Sequence, residues 1–530
     1  MTNPKILIRH NHIVINNYEL GDCKKLEYDF SIYDRLYHVN QLKILEYIEE
    51  EKKLIVPRGV DIHYLRRLFN EEPVVDYNHD PYDRLELIKL RYLPRDDDQK
   101  EALAFMCGER KYRSNKRRSQ LSVNLNTGKG KTYCSIATSS ILSLRSIIIT
   151  SSIDWLEQWR DCIIEYTDTE HSEIYMLIGS ASIHRLLSRD ISKYKFILAS
   201  HDTIKSYGDR NGWDKVTELF KYMKVGIKYY DEAHLNFDNM AKIDAYTNTY
   251  KNYYVTATPA RSDEDENILY KYYFKNVPSI NLFDEDEDPH TDYIAIRYNS
   301  RPNPMDISKC KNPYGFDKNK YSVYLTKQDN YYKLLHILIN MALKNNKKNV
   351  FYIATNKAIR ITYKWILDNY PELKEDIGIF TSEIKENKSE QLEKRIILST
   401  TKSLGTAQDI KGLKMVVVLA EPFKSAVLAR QTLGRTRDDN TFYIEIVDNG
   451  FDPIKRYYRE KKPIFNKYAK SVSEIIISDN ELEDRVERIL KNRYNLINNA
   501  YPKNLSISAN NVIKPISQYN KPINPISVLK

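Results

Sequence analysis

The sequence predicts an α/β protein of two tandem domains built on parallel sheets, with a small α+β domain in front. Three observations lead there. Between Leu121 and Asp448 short β-rich runs alternate with longer helical patterns, which is the signal for parallel strands joined by crossover helices. These runs form two series, separated by a Pro-, Asn- and acid-rich passage from Phe274 to about Lys320. The residues before the first series have a different texture, ending in "LIVPRGVDIHYLRRLF", Leu54 to Phe69.

Taken in order, residues 1–85 are expected to form the accessory domain, whose Arg58, Arg66 and Arg67 read equally as surface charges or as contacts to a polyanion. Residues 86–275 form the first α/β domain, with strands at "LSVNL" (121–125), "SIIIT" (146–150), "FILAS" (196–200), "VGIKYY" (225–230) and "YYVT" (253–256). Residues 276–320 read as a connection. The second domain, 321–475, has its strands at "NVFYIA" (349–354), "IGIFT" (377–381), "RIILST" (395–400), "MVVVLA" (415–420) and "FYIEIV" (442–447). A docking helix follows over 476–500: Ser478 and Glu481 make a capping box, and Leu482, Val486, Ile489 and Leu490 share one face. The last segment, 501–530, repeats a Lys/Asn-Pro-Ile unit and reads as a disordered tail, a spacer or a partner peptide.

A chain of 530 residues is long enough for two or three domains, each with its own core. No apolar run approaches the roughly 18 residues of a membrane span, and the N-terminus is too broken by polar residues for a signal peptide, so a cytoplasmic protein is expected. The cysteines, Cys23, Cys107, Cys134, Cys162 and Cys310, form no Cys-x-x-Cys pair. That excludes a zinc ribbon or a disulfide framework. A net charge of +10 suits a polyanionic partner, with the basic loop "RKYRSNKRRSQ" (Arg110 to Gln120) either a contact or a solvated surface.

Two stretches carry chemistry. "NLNTGKGKTYCS" follows a strand and opens a helix, the setting of a phosphate-binding loop. Gly128 and Gly130 let backbone N–H groups curl round a phosphate, Lys131 reaches its oxygens and Thr132 ligates magnesium. Leu125 stands where the full pattern has a further glycine. The second stretch, "YYDEAHLNF", ends the run at 225–230 in two carboxylates. Magnesium-assisted phosphoryl transfer needs one acid for the metal, here Asp231, and one to orient water, here Glu232. Taken singly, each stretch also reads as an ordinary helix start.

Together "NTGKGKT", "DEAH", "VTATPARSD" (Val255 to Asp263) and "QTLGRTR" (Gln431 to Arg437) resemble, in order and spacing, the superfamily 2 DEAH-box helicases and translocases. Within them the chain looks most like the phage UvsW-type and XPB-type DNA helicases, through "ATPARSD" and the "PRG" segment upstream. The resemblance implies two tandem RecA-like P-loop domains, with ATP and Mg2+ as cofactors. It implies that Gln99 reads the adenine and that Thr127, Gly128, Lys129, Gly130, Lys131 and Thr132 hold the phosphates, with Asp98 where an aromatic is usual. From the second domain Gly405 and Asp409 approach the ribose, and Gln431, Arg435 and Arg437 reach the γ-phosphate, Arg437 six positions after the glutamine rather than the usual seven.

Thr150, Ser151, Ser200, Thr203, Thr355, Thr400 and Thr401 are implied as backbone contacts to nucleic acid. His234, Thr256 and Thr258 are implied as the coupling between hydrolysis and those contacts. Trp155 and Trp159 are expected in the core. The activity implied is that of an ATP-dependent DNA helicase acting on branched DNA, with DNA ahead of RNA as partner and a host-cytoplasmic, phage-encoded setting. The alternatives are a duplex translocase that separates no strands, an RNA helicase and, from another class, a non-hydrolysing nucleic-acid-binding adaptor.

Overall fold

The computed structural model describes residues 5–500 apart from 35–38, 87, 126–128, 257–263, 283–289, 314, 345–346, 382, 385–387, 405–409, 411 and 434–440. The chain divides into two compact units, residues 1–285 and 286–530.

The first unit opens with β1 (Ile6–Ile8), β2 (His12–Asn16), β3 (Ser31–Asp34), β4 (Val39–Lys43), β5 (Glu46–Ile48), β6 (Lys53–Pro57) and β7 (Val74–Val75). Five of these form a mixed sheet in the order β5-β6-β2-β1-β7, antiparallel except for the β1–β7 pair. The α/β part follows with β8 (Gln120–Leu125), β9 (Ser146–Thr150), β10 (Ile174–Leu177), β11 (Phe196–Ser200), β12 (Ile227–Asp231), β13 (Lys251–Thr256) and β14 (Ser279–Leu282). They pair in the order β10-β11-β9-β12-β13-β8-β14, in parallel throughout.

Parallel strands covered on both faces read as near-continuous apolar runs, and the alternation of side chains sends neighbours to opposite cores. Ile147, Ile149, Tyr230 and Tyr254 face one core while Ile148, Tyr229 and Tyr253 face the other. The tyrosines thus serve as core residues, stacked in cross-strand pairs, Tyr229 on Tyr253 at 5.2 Å and Tyr230 on Tyr254 at 5.6 Å between ring centroids. Their hydroxyls need buried partners. Asp244 supplies one, accepting from Tyr230 at 2.8 Å and from Tyr254 and Tyr273 at 2.5 Å while pairing with Lys228 at 2.6 Å.

The N-terminal sheet belongs to the same core, since Ile6, Ile13 and Leu54 pack in one cluster with Ile147 and Tyr254. A buried amide pins it there: Asn11 Nδ2 bonds to Thr247, Thr249 and Asn252, and Gln120 Nε2 donates to the Asn11 carbonyl at 2.9 Å. The expected accessory segment is therefore joined to the first α/β sheet by core and hydrogen bonds alike.

The second unit contains β15 (Thr291–Tyr298), β16 (Lys311–Asn312), β17 (Gly315–Phe316), β18 (Lys348–Ile353), β19 (Ile377–Phe380), β20 (Ile396–Ser399), β21 (Leu413–Ala420), β22 (Thr441–Asp448) and β23 (Ser471–Ile476). Seven of them form a parallel sheet in the order β19-β20-β18-β21-β22-β15-β23. The stretch 276–320, read as a connection, gives β14 to the first sheet and β15 to the second, where β15 lies between β22 and β23. The helix Asp479–Ala500 carries Leu482 and Val486 into this core, with Ile489 packed against it. Leu490, expected on the same face, is exposed. The tail at 501–530 lies outside the described residues.

Candidate active site

The loop after β8 leads into the helix Lys131–Leu142, whose first turn has no acidic residue and no side-chain cap. The first-turn N–H groups of such a helix start, with the positive end of its dipole, suit an incoming anion. Gly130 starts this helix at φ 87°, and a Cβ there would lie 2.2 Å from Gln99 Nε2. Only glycine fits. Gln99 is buried on the helix Asp97–Cys107; its carboxamide accepts from the Arg95 N–H at 2.8 Å and donates to the Lys129 carbonyl at 3.3 Å. The glutamine expected at the base thus bridges the phosphate loop to the strand of chain before it.

At the carboxyl end of β12, next in the sheet to β9 and β13, two acids diverge. Glu232 sits at φ 50°, a left-handed conformation that a non-glycine residue adopts only where its surroundings enforce it. Its carboxylate meets Lys131 Nζ at 2.5 Å, accepts from Thr256 Oγ1 at 3.3 Å and lies 3.4 Å from His234 Nδ1. His234 Nδ1 in turn bonds to Thr256 Oγ1 at 2.7 Å. Four sequence-predicted residues, Lys131, Glu232, His234 and Thr256, therefore form one buried network.

Asp231 turns the other way and accepts a hydrogen bond from the Trp159 indole at 2.8 Å. Trp159 is buried, as expected, but sequence reasoning missed this bond because it depends on the helix Ile153–Tyr166 packing beside β12. Burial first, and then the neighbouring Glu232, push the Asp231 carboxyl up to about 6, against the opposing pull of Lys131 and the indole. A carboxyl whose folded pKa is raised contributes stability that is complete below its unfolded value of about 3.9 and is lost as pH rises through the folded one. Asp231→Asn is accordingly expected to raise the Tm at pH 8 and to leave it nearly unchanged at pH 4, as read by thermal unfolding at the two pH values.

The hydroxyls expected on nucleic acid have varied surroundings. Thr150 is buried and donates to the Ser152 carbonyl at 2.8 Å, whereas the Ser151 hydroxyl is buried with no hydrogen-bond partner among the described residues. Ser200 caps the helix His201–Asn211, and the hydroxyls of Ser200 and Thr203, both buried, bond to each other at 2.9 Å.

In the second unit Thr355, Thr400 and Thr401 stand past the carboxyl ends of β18 and β20, which are neighbours in the sheet. Thr355 caps the helix Asn356–Asn369, and Thr400 accepts from the Ser403 N–H at 3.0 Å. Thr401 is buried and donates from both its N–H (2.7 Å) and its hydroxyl (2.6 Å) to Glu421, which also pairs with Lys318 at 2.8 Å. Its hydroxyl is committed to that carboxylate. Thr127, Gly128, Thr258, Gly405, Asp409, Arg435 and Arg437 lie outside the described residues, as does the side chain of Gln431, whose backbone is in the helix Ala426–Leu433.

Among the described residues no group of three or more His, Cys, Asp or Glu side chains could hold a metal ion, and no helix is long and apolar enough to cross a membrane. Residues 93–261 match the family described as "Type III restriction enzyme, res subunit". No curated protein matches the chain. Among solved structures, S. cerevisiae Dbp5 bound to RNA and ADP BeF3 is 14% identical with a TM-score of 0.49, over 74% of this chain and 92% of that one. T4 UvsW is 13% identical with a TM-score of 0.34, over 89% and 99%. The ATP-dependent Type ISP restriction-modification enzyme LlaBIII bound to DNA is 13% identical with a TM-score of 0.47, over 78% and 35%. Likenesses of this size carry no functional argument. Each of the two units carries a parallel α/β sheet, the first with the N-terminal mixed sheet beside it, which is the tandem RecA-like fold, and the family match lies within the first unit.

Proposed function

We propose that the chain is an ATP-dependent DNA helicase or translocase that turns ATP hydrolysis into movement on, or remodelling of, branched DNA. One observation carries the reading. Lys131, Glu232, Thr256 and His234 converge at the carboxyl edge of a parallel sheet, where ligands of open α/β sheets bind, beside an uncapped helix N-terminus.

Mg2+ fits here, because Thr132 and Asp231 offer hard oxygen donors and Mg2+ is usually held by one or two carboxylates plus substrate phosphates. When bound it would neutralise charge on the β- and γ-phosphates. The chain's own groups do the rest. In the structure Lys131 is engaged by Glu232; the γ-phosphate competes for Lys131, and the freed Glu232 carboxylate accepts the proton of the attacking water. Thr256 and His234 then register the change, since both touch the same carboxylate. Arg435 and Arg437, with Gln431, are the proposed γ-phosphate partners from the second unit, Arg435 foremost.

Trp159→Phe keeps the ring and deletes the indole donor. It is expected to raise the Mg2+ concentration for half-maximal ATP hydrolysis by about tenfold, the usual effect of losing a group that orients a metal ligand. A Mg2+ titration of both proteins checks it.

The reading as a whole is tested by ATP hydrolysis and strand displacement on single-stranded, duplex and forked DNA and on RNA. Stimulation and displacement on forked DNA support it. Stimulation by RNA alone transfers the reading to an RNA helicase, and stimulation without displacement to a duplex translocase.

A further inference from the structure

Two arginines that the ATP site leaves unused are brought to one region of the first unit near the amino end of β8: Pro57, before Arg58, pairs with His12 in the sheet, and Ser119, after Arg118, donates to the His10 carbonyl. The phosphate loop follows the other end of that strand, ~20 Å away at the usual rise per residue. Arg58 stands at the turn after β6, partly buried, and its Nε is buried without a hydrogen-bond partner. Among the described residues it has no carboxylate partner either. Burial and the adjacent charge of Arg118 push its guanidinium pKa below the usual value.

Neither arginine is free to move away. A Cβ on Gly59 would lie 1.8 Å from the Tyr273 carbonyl oxygen, and Asn276 donates to the Gly59 carbonyl at 3.1 Å, so the Arg58 turn is pressed onto the helix Glu264–Phe274. Arg118 ends the 3-10 segment Arg110–Arg117, which Lys251 holds by donating to the carbonyls of Asn115 (2.9 Å), Lys116 (2.9 Å) and Arg118 (2.5 Å). Asn115 Nδ2 adds a bond to the Phe105 carbonyl at 3.0 Å, and Ser119 Oγ donates to the His10 carbonyl at 2.7 Å. The basic run is a built shelf. Lys116, Arg117 and Arg118 are exposed on it, and among the described residues they form no ion pair.

A half-buried cation without a counter-charge is costly, and a second cation near it makes it more so. Rigid surroundings that hold both in place are what an anion-binding site requires. Guanidinium forks suit phosphate oxygens, and the run Lys116-Arg117-Arg118 suits a repeated charge rather than a single ion. We propose that Arg58 and Arg118 clamp a phosphodiester backbone, with Lys116 and Arg117 continuing the track, as a second nucleic-acid contact remote from the ATP edge. It rests on the nucleic-acid motor reading and adds a place where the N-terminal sheet and the first α/β sheet grip the substrate together.

The test is equilibrium binding of labelled duplex DNA, single-stranded DNA and duplex RNA to the full chain without nucleotide, over roughly 50 to 300 mM salt. Wild type is compared with Arg58→Gln, Arg118→Gln, their double variant and the control Arg456→Gln, an exposed arginine of the second unit. The double variant is expected to bind about tenfold more weakly and to lose about 2 from the slope of log K against log salt, with the control unchanged. Loss on one of the three nucleic acids alone names that backbone as the occupant. Basal ATP hydrolysis without nucleic acid stays at the wild-type rate.

A second measurement separates function from structure: Arg58→Met, with no nucleic acid present, is expected to raise the Tm because an unpaired cation is removed. An unchanged salt slope in the double variant overturns the clamp, as does a lowered Tm in Arg58→Met. If the wild type binds no nucleic acid at all, the failure belongs to the motor reading itself.

Discussion

Glu232→Gln is expected to lower kcat for ATP hydrolysis by about 10²- to 10⁴-fold, the range for removing a general base, while ATP and DNA still bind. The substitution is nearly isosteric, so the contacts of the side chain with Thr256 and the left-handed backbone at residue 232 are kept. What goes is the negative charge that takes the water's proton. Binding of a fluorescent ATP analogue and of labelled DNA, measured beside turnover, separates this outcome from misfolding. Turnover at the wild-type rate would mean that Glu232 only neutralises Lys131.

Lys131→Ala is expected to act one step earlier. Its ammonium is the cation at the helix N-terminus, and charge-assisted bonds to phosphate of the kind it would make are worth about 1.5–3 kcal/mol. Nucleotide affinity should therefore fall by about 10- to 150-fold, with hydrolysis lost and DNA binding retained. The variant also removes the Lys131–Glu232 ion pair, whose carboxylate is only 8% exposed, so a lower Tm is expected alongside. Full nucleotide affinity in a folded Lys131→Ala protein would remove the phosphate loop from the account.

The parts legible in the sequence are those that local patterns determine. Strands buried on both faces read as near-continuous apolar runs, and "SIIIT", "FILAS" and "MVVVLA" declare themselves for that reason. β23, "SVSEII", lies at the edge of its sheet with a mixed burial pattern, and β15 is flanked by acidic and Pro-rich residues that read as linker. Motif residues were legible because a glycine loop before a helix and two acids after a strand are local features. Their partners were not: the Trp159 to Asp231 bond spans 72 positions and exists only through the order of strands in the sheet.

Ser200 and Thr203 show the opposite difficulty. A hydroxyl just ahead of a helix serves equally well as a phosphate donor or as an N-cap, and the sequence is the same for both. The structure uses Ser200 as the cap. Arg58 was visible in "VPRGVD" as one charge among several, and only the fold shows that its Nε is buried without a partner.

The most direct measurement is phosphate release from ATP by the wild-type chain with Mg2+, in the presence and absence of DNA, with Glu232→Gln as the reference. The account predicts slow release alone, severalfold faster release with DNA, and neither in the variant. Release that is absent in the wild type, or that is the same with and without nucleic acid, contradicts it.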